Sequence, residues 1–136
     1  MGRFDVFGVN GYGPKVNPAL AAACEAMGCP AMIGEWHFGA LDAGLPASGI
    51  GRVADQRDRG RAYRAYLEDA AAQPWCVGAH WFTHYDQSAL GRFDGENYQI
   101  GFVDICHRVY EELANAARAA HERMYPLAAG DAKPRG

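Results

Sequence analysis

Residues 30–44 read PAMIGEWHFGALDAG. Ala31, Met32 and Ile33 form a short apolar run after Pro30, and the run ends at Glu35 with Trp36, His37 and Phe38 behind it. A run this short, bounded by proline and glycine, predicts a buried strand over 30–38. Alternation along it places Ile33, Glu35 and His37 on one face. A carboxylate leaving a buried strand costs several kcal/mol unless it is paired or hydrogen-bonded. Two uses justify such a cost: a structural ion pair, for example with an arginine, or a reactive group in a ring-walled site. Gly34 permits close backbone approach, and Trp36, His37 and Phe38 can exclude water.

The same plan recurs on either side. RFDVFGVN (3–10) is an apolar run ending at Asn10, followed by the loop GYGPKVN. Asn17 is placed to cap a helix with Pro18 in its first turn, and Gly28 to stop it. After the second strand comes a long glycine-rich loop, about 38–54, and then a helix from Asp55 to Gln73. Tyr63, Tyr66, Leu67 and Ala70 recur on one face of it at helical spacing. PWCVGAHWF (74–82) opens the third unit. Its loop runs to about Asp104, and a last helix spans His107 to Met124 with Val109, Leu113, Ala116 and Ala120 inward. Residues 1–126 form one domain in this reading, and 127–136 a frayed tail.

Near-continuous apolar strands alternating with helices predict an α/β fold of three βα units on a parallel sheet. The helix-to-strand links are minimal, whereas the long loops rich in rings and polar groups all follow strands. Chemistry sits at that end of a parallel sheet in barrels and open sheets alike. Asn10, Tyr12, Glu35, His37, Trp81, His84 and Asp86 therefore gather at one mouth. Three units are fewer than half of an eight-unit barrel, so assembly with copies of itself or with a missing N-terminal half is expected.

Bulk properties narrow the function. The 136 residues are 49% hydrophobic and 21% charged, with a formal net charge of −3. Nothing in that balance favours nucleic acid or an anionic membrane surface. The arginines of RVADQRDRGRAYR (52–64) are interleaved with Asp55 and Asp58 and read as a solvated helix face. Cys24, Cys29, Cys76 and Cys106 show no zinc-type spacing and read as free thiols. His80 and His84 lie about 13 Å apart along a strand and cannot share an ion, so no metal and no cofactor are expected. No run is long enough to span a membrane and no signal-peptide pattern opens the chain. The third loop combines Tyr85, Phe93 and Tyr98 with Asp86, Gln87, Asp94, Glu96 and Asn97. Rings that stack beside groups that take hydroxyls suit a neutral, polyhydroxylated ligand. Trp81 serves either as a flat face for a sugar ring or as core.

These words in this order resemble a known family. GEWHFGALDAG (34–44), DQRDRGRAYRAYLEDA (55–70) and VGAHWFTHYDQSALGRFDGENYQIGFVDI (77–105) are similar to the C-terminal part of β-agarases, glycoside hydrolase family fifty. The resemblance runs from Asp5 to about Tyr125 and rests on E-x-H-F-G-A-L-D and G-R-x-D-G-E-N-Y-x-I-G. It implies units six, seven and eight of a (β/α)8 barrel and a retaining hydrolase acting on galactose-containing saccharide. Glu35 is then the nucleophile and Trp81 the platform under the sugar. Asn10 and Tyr12 lie beside the nucleophile, and His37, Asp86, Glu96 and Asn97 are substrate contacts. The acid/base glutamate of such barrels belongs to strand four, which this chain does not contain. Asp42, Asp86, Asp94 and Glu96 are its only stand-ins, and none has the strand-end setting of a general acid. The alternative is a carbohydrate-binding or assembly fragment, inactive without a partner half. The family implies a secreted or periplasmic enzyme, its signal lying on a segment outside this chain.

Overall fold

The computed structural model describes residues 4–135. Its elements follow the order β1 (Phe7–Asn10), α1 (Ala19–Met27), β2 (Ala31–Trp36), α2 (Gln56–Ala71), β3 (Cys76–Trp81), α3 (Glu111–His121) and α4 (Met124–Ala128). The strands form one parallel sheet in the order β1–β2–β3. This is the small α/β arrangement expected from the alternating runs. The expected start of β1 at Arg3 lies outside the described residues.

Local chemistry sets the helix ends. Asn17 Oδ1 accepts from the Ala19 N–H at 3.0 Å, so α1 starts one residue after Pro18. Gly28 takes φ 66° and turns its N–H back to the Cys24 and Glu25 carbonyls, which ends α1. Asp55 caps α2 by accepting from the Asp58 N–H at 2.8 Å. The inward face of α2 is the expected one, with Tyr63, Tyr66, Leu67 and Ala70 all buried. Gly60 sits mid-helix because α3 crosses there. A Cβ on it would stand 2.7 Å from the Glu112 carbonyl oxygen and 3.1 Å from the Ala116 Cβ.

Two expectations about α3 are corrected. The helix starts at Glu111 rather than His107, because the Asp104 carboxylate collects the N–H groups of Cys106 and Arg108 and the Arg108 guanidinium into a turn. His107 within that turn has φ 61°. Val109 therefore precedes the helix and is exposed, while Leu113, Ala117 and Ala120 face inward. The stretch expected to fray also differs. Leu127 of α4 is buried, and the Arg135 N–H donates to Glu68 at 2.7 Å.

The core lies between the sheet and α2 and α3. Ile33, Trp36 and Phe38 meet Tyr63, Tyr66 and Leu67 from α2, and Leu113, Ala117 and Ala120 from α3. Strict alternation along β2 fails here. Val9 pairs with Ile33 and Asn10 with Glu35, so Gly34 is an extra residue against β1. The bulge lets Ile33 and Trp36 both enter the core while Glu35 and His37 turn to the other side. β1 and β3 are edge strands, each paired only with β2 among the described residues.

Candidate functional site

Glu35 occupies the C-terminal end of β2 and is half-buried. Its Oε2 accepts from Asn10 Nδ2 at 2.9 Å and from the Tyr12 hydroxyl at 2.5 Å. Both donors come from the end of β1 and the loop after it. The parallel ladder carries on through the Gly11 N–H to the Glu35 carbonyl at 2.8 Å, which fixes that loop against the strand end. Among the described residues no arginine, lysine or histidine forms a salt bridge with Glu35, and Oε1 has no hydrogen-bond partner. One oxygen is therefore held by two charge-assisted bonds, and the other is left without a partner among the described residues.

The Tyr12 phenol titrates well above its usual range. Burial is the main cause, reinforced by its bond to Glu35 and by the charges of Glu35 and Glu96. It stays a donor at any working pH. His37 packs its ring 4.8 Å from that of Tyr12. It is only 1% exposed, and its Nε2 accepts from the Ile50 N–H at 3.0 Å. Burial, and secondarily the Arg59 charge, push its pKa down to about 4. His37 is thus a neutral support packed behind Tyr12, too deeply buried for the substrate contact that the resemblance implies.

Of the two uses open to the ring at the end of β3, its packing is that of a core residue, not of the platform that the resemblance implies. Trp81 pairs with Trp36 across the ladder and joins the helix-side cluster. It stands edge-on to Trp36 at 4.8 Å and lies 5.1 Å from Tyr63 and 5.8 Å from Phe102. Its Nε1 donates to the Ile100 carbonyl at 2.9 Å. Phe82, the next residue, turns to the Glu35 side. Its ring lies 6.2 Å from His37, and the Arg92 guanidinium stands 5.8 Å above it. The peptide between Phe82 and Thr83 is cis.

Beneath the mouth the two long loops are tied to each other. Arg59 of α2 is fully buried. Its Nε donates to the Phe38 carbonyl and its Nη2 to the Gly101 carbonyl, each at 2.6 Å, and Nη1 reaches Gln56. Burial lowers its pKa to about 10, against the opposing pull of Asp86. Asp86 is 7% exposed and accepts from the Tyr110 hydroxyl and the Gly101 N–H, each at 2.7 Å. It staples the third loop to the entry of α3 rather than facing ligand. Gln99 Oε1 accepts from the Ala40 N–H at 2.9 Å and completes the link between loops.

The wall of the mouth is residues 87–98. Glu96 accepts from Gln87 Nε2 at 2.7 Å and pairs with Arg92 at 3.4 Å. Asp94 pairs with Arg92 at 3.1 Å. Asn97 is half-buried, and its side chain makes no hydrogen bond among the described residues. Asp42 accepts from the Gln56 backbone and side chain. Each carboxylate considered as a general acid is thus already engaged. Arg92 and Phe82 escaped the sequence reading, and Arg59, expected on a solvated helix face, is instead fully buried because both long loops offer it backbone carbonyls. Arg92 lay inside a quoted motif but was overshadowed by the carboxylates beside it. His80 and His84 are exposed, and no three metal-ligating side chains gather among the described residues.

No family model matches the sequence. Two curated relatives do. β-Agarase B of Vibrio sp. (strain JT0107) is 44% identical over 99 residues, 72% of this chain and 10% of its own length. β-Agarase A of the same strain is 42% identical over 102 residues, 74% of this chain and 10% of that protein. The chain thus spans about a tenth of the length of these relatives. A solved exo-β-agarase superposes with a TM-score of 0.86 at 37% identity, covering 91% of this chain and 17% of that one. The agarase AgWH50C gives 0.85 at 38%, covering 91% and 19%. A Bifidobacterium dentium β-glucuronidase, 20% identical with a TM-score of 0.57, shares the fold alone.

Proposed function

We propose that this chain is the nucleophile-bearing part of a β-agarase-like retaining glycoside hydrolase, equivalent to the last three units of a (β/α)8 barrel. The observation that carries the reading is the state of Glu35. Its carboxylate is aimed by two neutral donors on one oxygen, keeps the other oxygen free, and has no cationic partner. A structural ion pair would look different. Likeness to β-agarases along almost the whole chain supports galactose-containing saccharide as the substrate class.

In the proposed reaction Glu35 Oε1 attacks the anomeric carbon, the glycosidic C–O bond breaks as the leaving oxygen takes a proton from the general acid, and water then hydrolyses the glycosyl-enzyme ester with retention. Asn10 and Tyr12 hold the attacking group in line, and His37 keeps Tyr12 in place. Phe82 presents a ring to the sugar's C–H face, with Trp81 as the buttress behind it. The second carboxyl group must lie about 5–5.5 Å from the first in such enzymes. Since Asp42, Asp86, Asp94 and Glu96 are all engaged, the general acid comes from a further part of the barrel, on another polypeptide or a preceding segment. The free edges of β1 and β3 are where that part would pair.

The test is reconstitution with a polypeptide supplying the first five units. Glu35→Ala should reduce turnover of an agar oligosaccharide by about a thousandfold or more. Azide should restore cleavage and yield the glycosyl azide of inverted configuration. An undiminished Glu35→Ala variant contradicts the assignment. Saccharide binding without turnover in the reconstituted wild type would favour the second reading, a carbohydrate-binding fragment, to which the engaged carboxylates also point.

A further inference from the structure

Phe93 is 97% exposed, an unusual position for a phenylalanine in an ordered segment. The segment is firmly built. Gly91 and Gly95 take φ 84° and 88°, the Arg92 N–H donates to the Glu96 carbonyl at 2.8 Å, and the Gly95 N–H donates back to Arg92 at 2.9 Å. Arg92 stands between two rings, 5.8 Å from Phe82 and 5.6 Å from Phe93. The guanidinium is itself fixed by Asp94 and Glu96. Phe82 faces the Glu35 side of the mouth, so Phe93 is the outer member of a pair of braced rings leading away from the reactive carboxylate.

We infer that Phe93 is a second sugar-binding position that takes a ring remote from the one at Glu35. This rests on the carbohydrate reading above and extends it from one sugar to an oligosaccharide. The surroundings decide the ligand class. A protein partner would call for a contiguous apolar patch depleted of charge. Phe93 instead has Arg92 and Asp94 as chain neighbours. A single exposed ring on a loop whose neighbouring side chains are charged matches a saccharide, whose apolar face is small and whose edges are polar. The bracing lowers the entropic cost of ordering the ring on binding.

Calorimetry on the full chain tests this, with galactose and neutral agar oligosaccharides of increasing length as probes. Phe93→Ala should weaken the longer oligosaccharides about fivefold and leave galactose unchanged, as loss of one stacking contact predicts. Phe93→Trp should retain affinity. Leu90 is 99% exposed in the same loop but has no ring, so Leu90→Ala should have no effect. Unchanged binding of long oligosaccharides by Phe93→Ala overturns the outer position while leaving the Glu35 reading intact. An equal loss in Leu90→Ala also overturns it, since general apolar adhesion would then be the cause. A wild-type chain that binds galactose but gains no affinity with oligosaccharide length also overturns the outer position, again leaving the Glu35 reading intact.

Discussion

His37 carries the clearest single-residue consequence of burial. Its folded pKa of about 4 lies below the usual 6.5, so the unfolded chain binds more protons between those values. The stabilisation is complete above pH 6.5 and is lost as pH falls toward 4. By pH 5 the loss amounts to about 2 kcal/mol. Urea unfolding of wild type and His37→Gln at pH 7 and pH 5 checks this, and the variant should show the smaller change. A second residue-level prediction separates the two rings of β3's end. Phe82→Ala should lower saccharide affinity with little change in urea midpoint, whereas Trp81→Ala should destabilise by about 3 kcal/mol. The place of Glu35 at a strand end was legible because an apolar run bounded by proline leads straight to it. The uses of Asp86 and Trp81 were not, because their partners, Tyr110 and Ile100, lie 24 and 19 residues further along the chain.

At the scale of elements, α2 does most to hold the mouth together. Arg59 reaches backbone carbonyls in both long loops, and a point-like ammonium cannot span those acceptors. Arg59→Lys should cost about 3 kcal/mol in urea unfolding. Gly60→Ala improves intrinsic helix propensity by about 1 kcal/mol. It nonetheless drives a methyl group into the α3 backbone, so a net loss of about 1–3 kcal/mol is expected by the same measurement. The inward face of α2 was readable because Tyr63, Tyr66, Leu67 and Ala70 keep helical period. The Gly34 bulge was not, since alternation assumes an unbroken register and the residue that breaks it depends on β1. Nor was the late start of α3, where a local Asp104 turn competes with helix propensity.

At the scale of the molecule, a three-strand parallel sheet with two free edges is an open structure. Val77 on β3 is 59% exposed, and an apolar groove of about 410 Å³ runs between β3, α2 and α4. Edges and groove together fit a sheet that continues into further strands. The central claim is that Glu35 is a competent nucleophile whose missing partner is only the general acid. A fluorinated dinitrophenyl galactoside tests that claim most directly, because its leaving group departs without protonation. Intact-mass and peptide analysis of the chain after incubation should reveal one fluorogalactosyl adduct on Glu35, absent from Glu35→Gln. No adduct, or an adduct elsewhere that persists in Glu35→Gln, would contradict it.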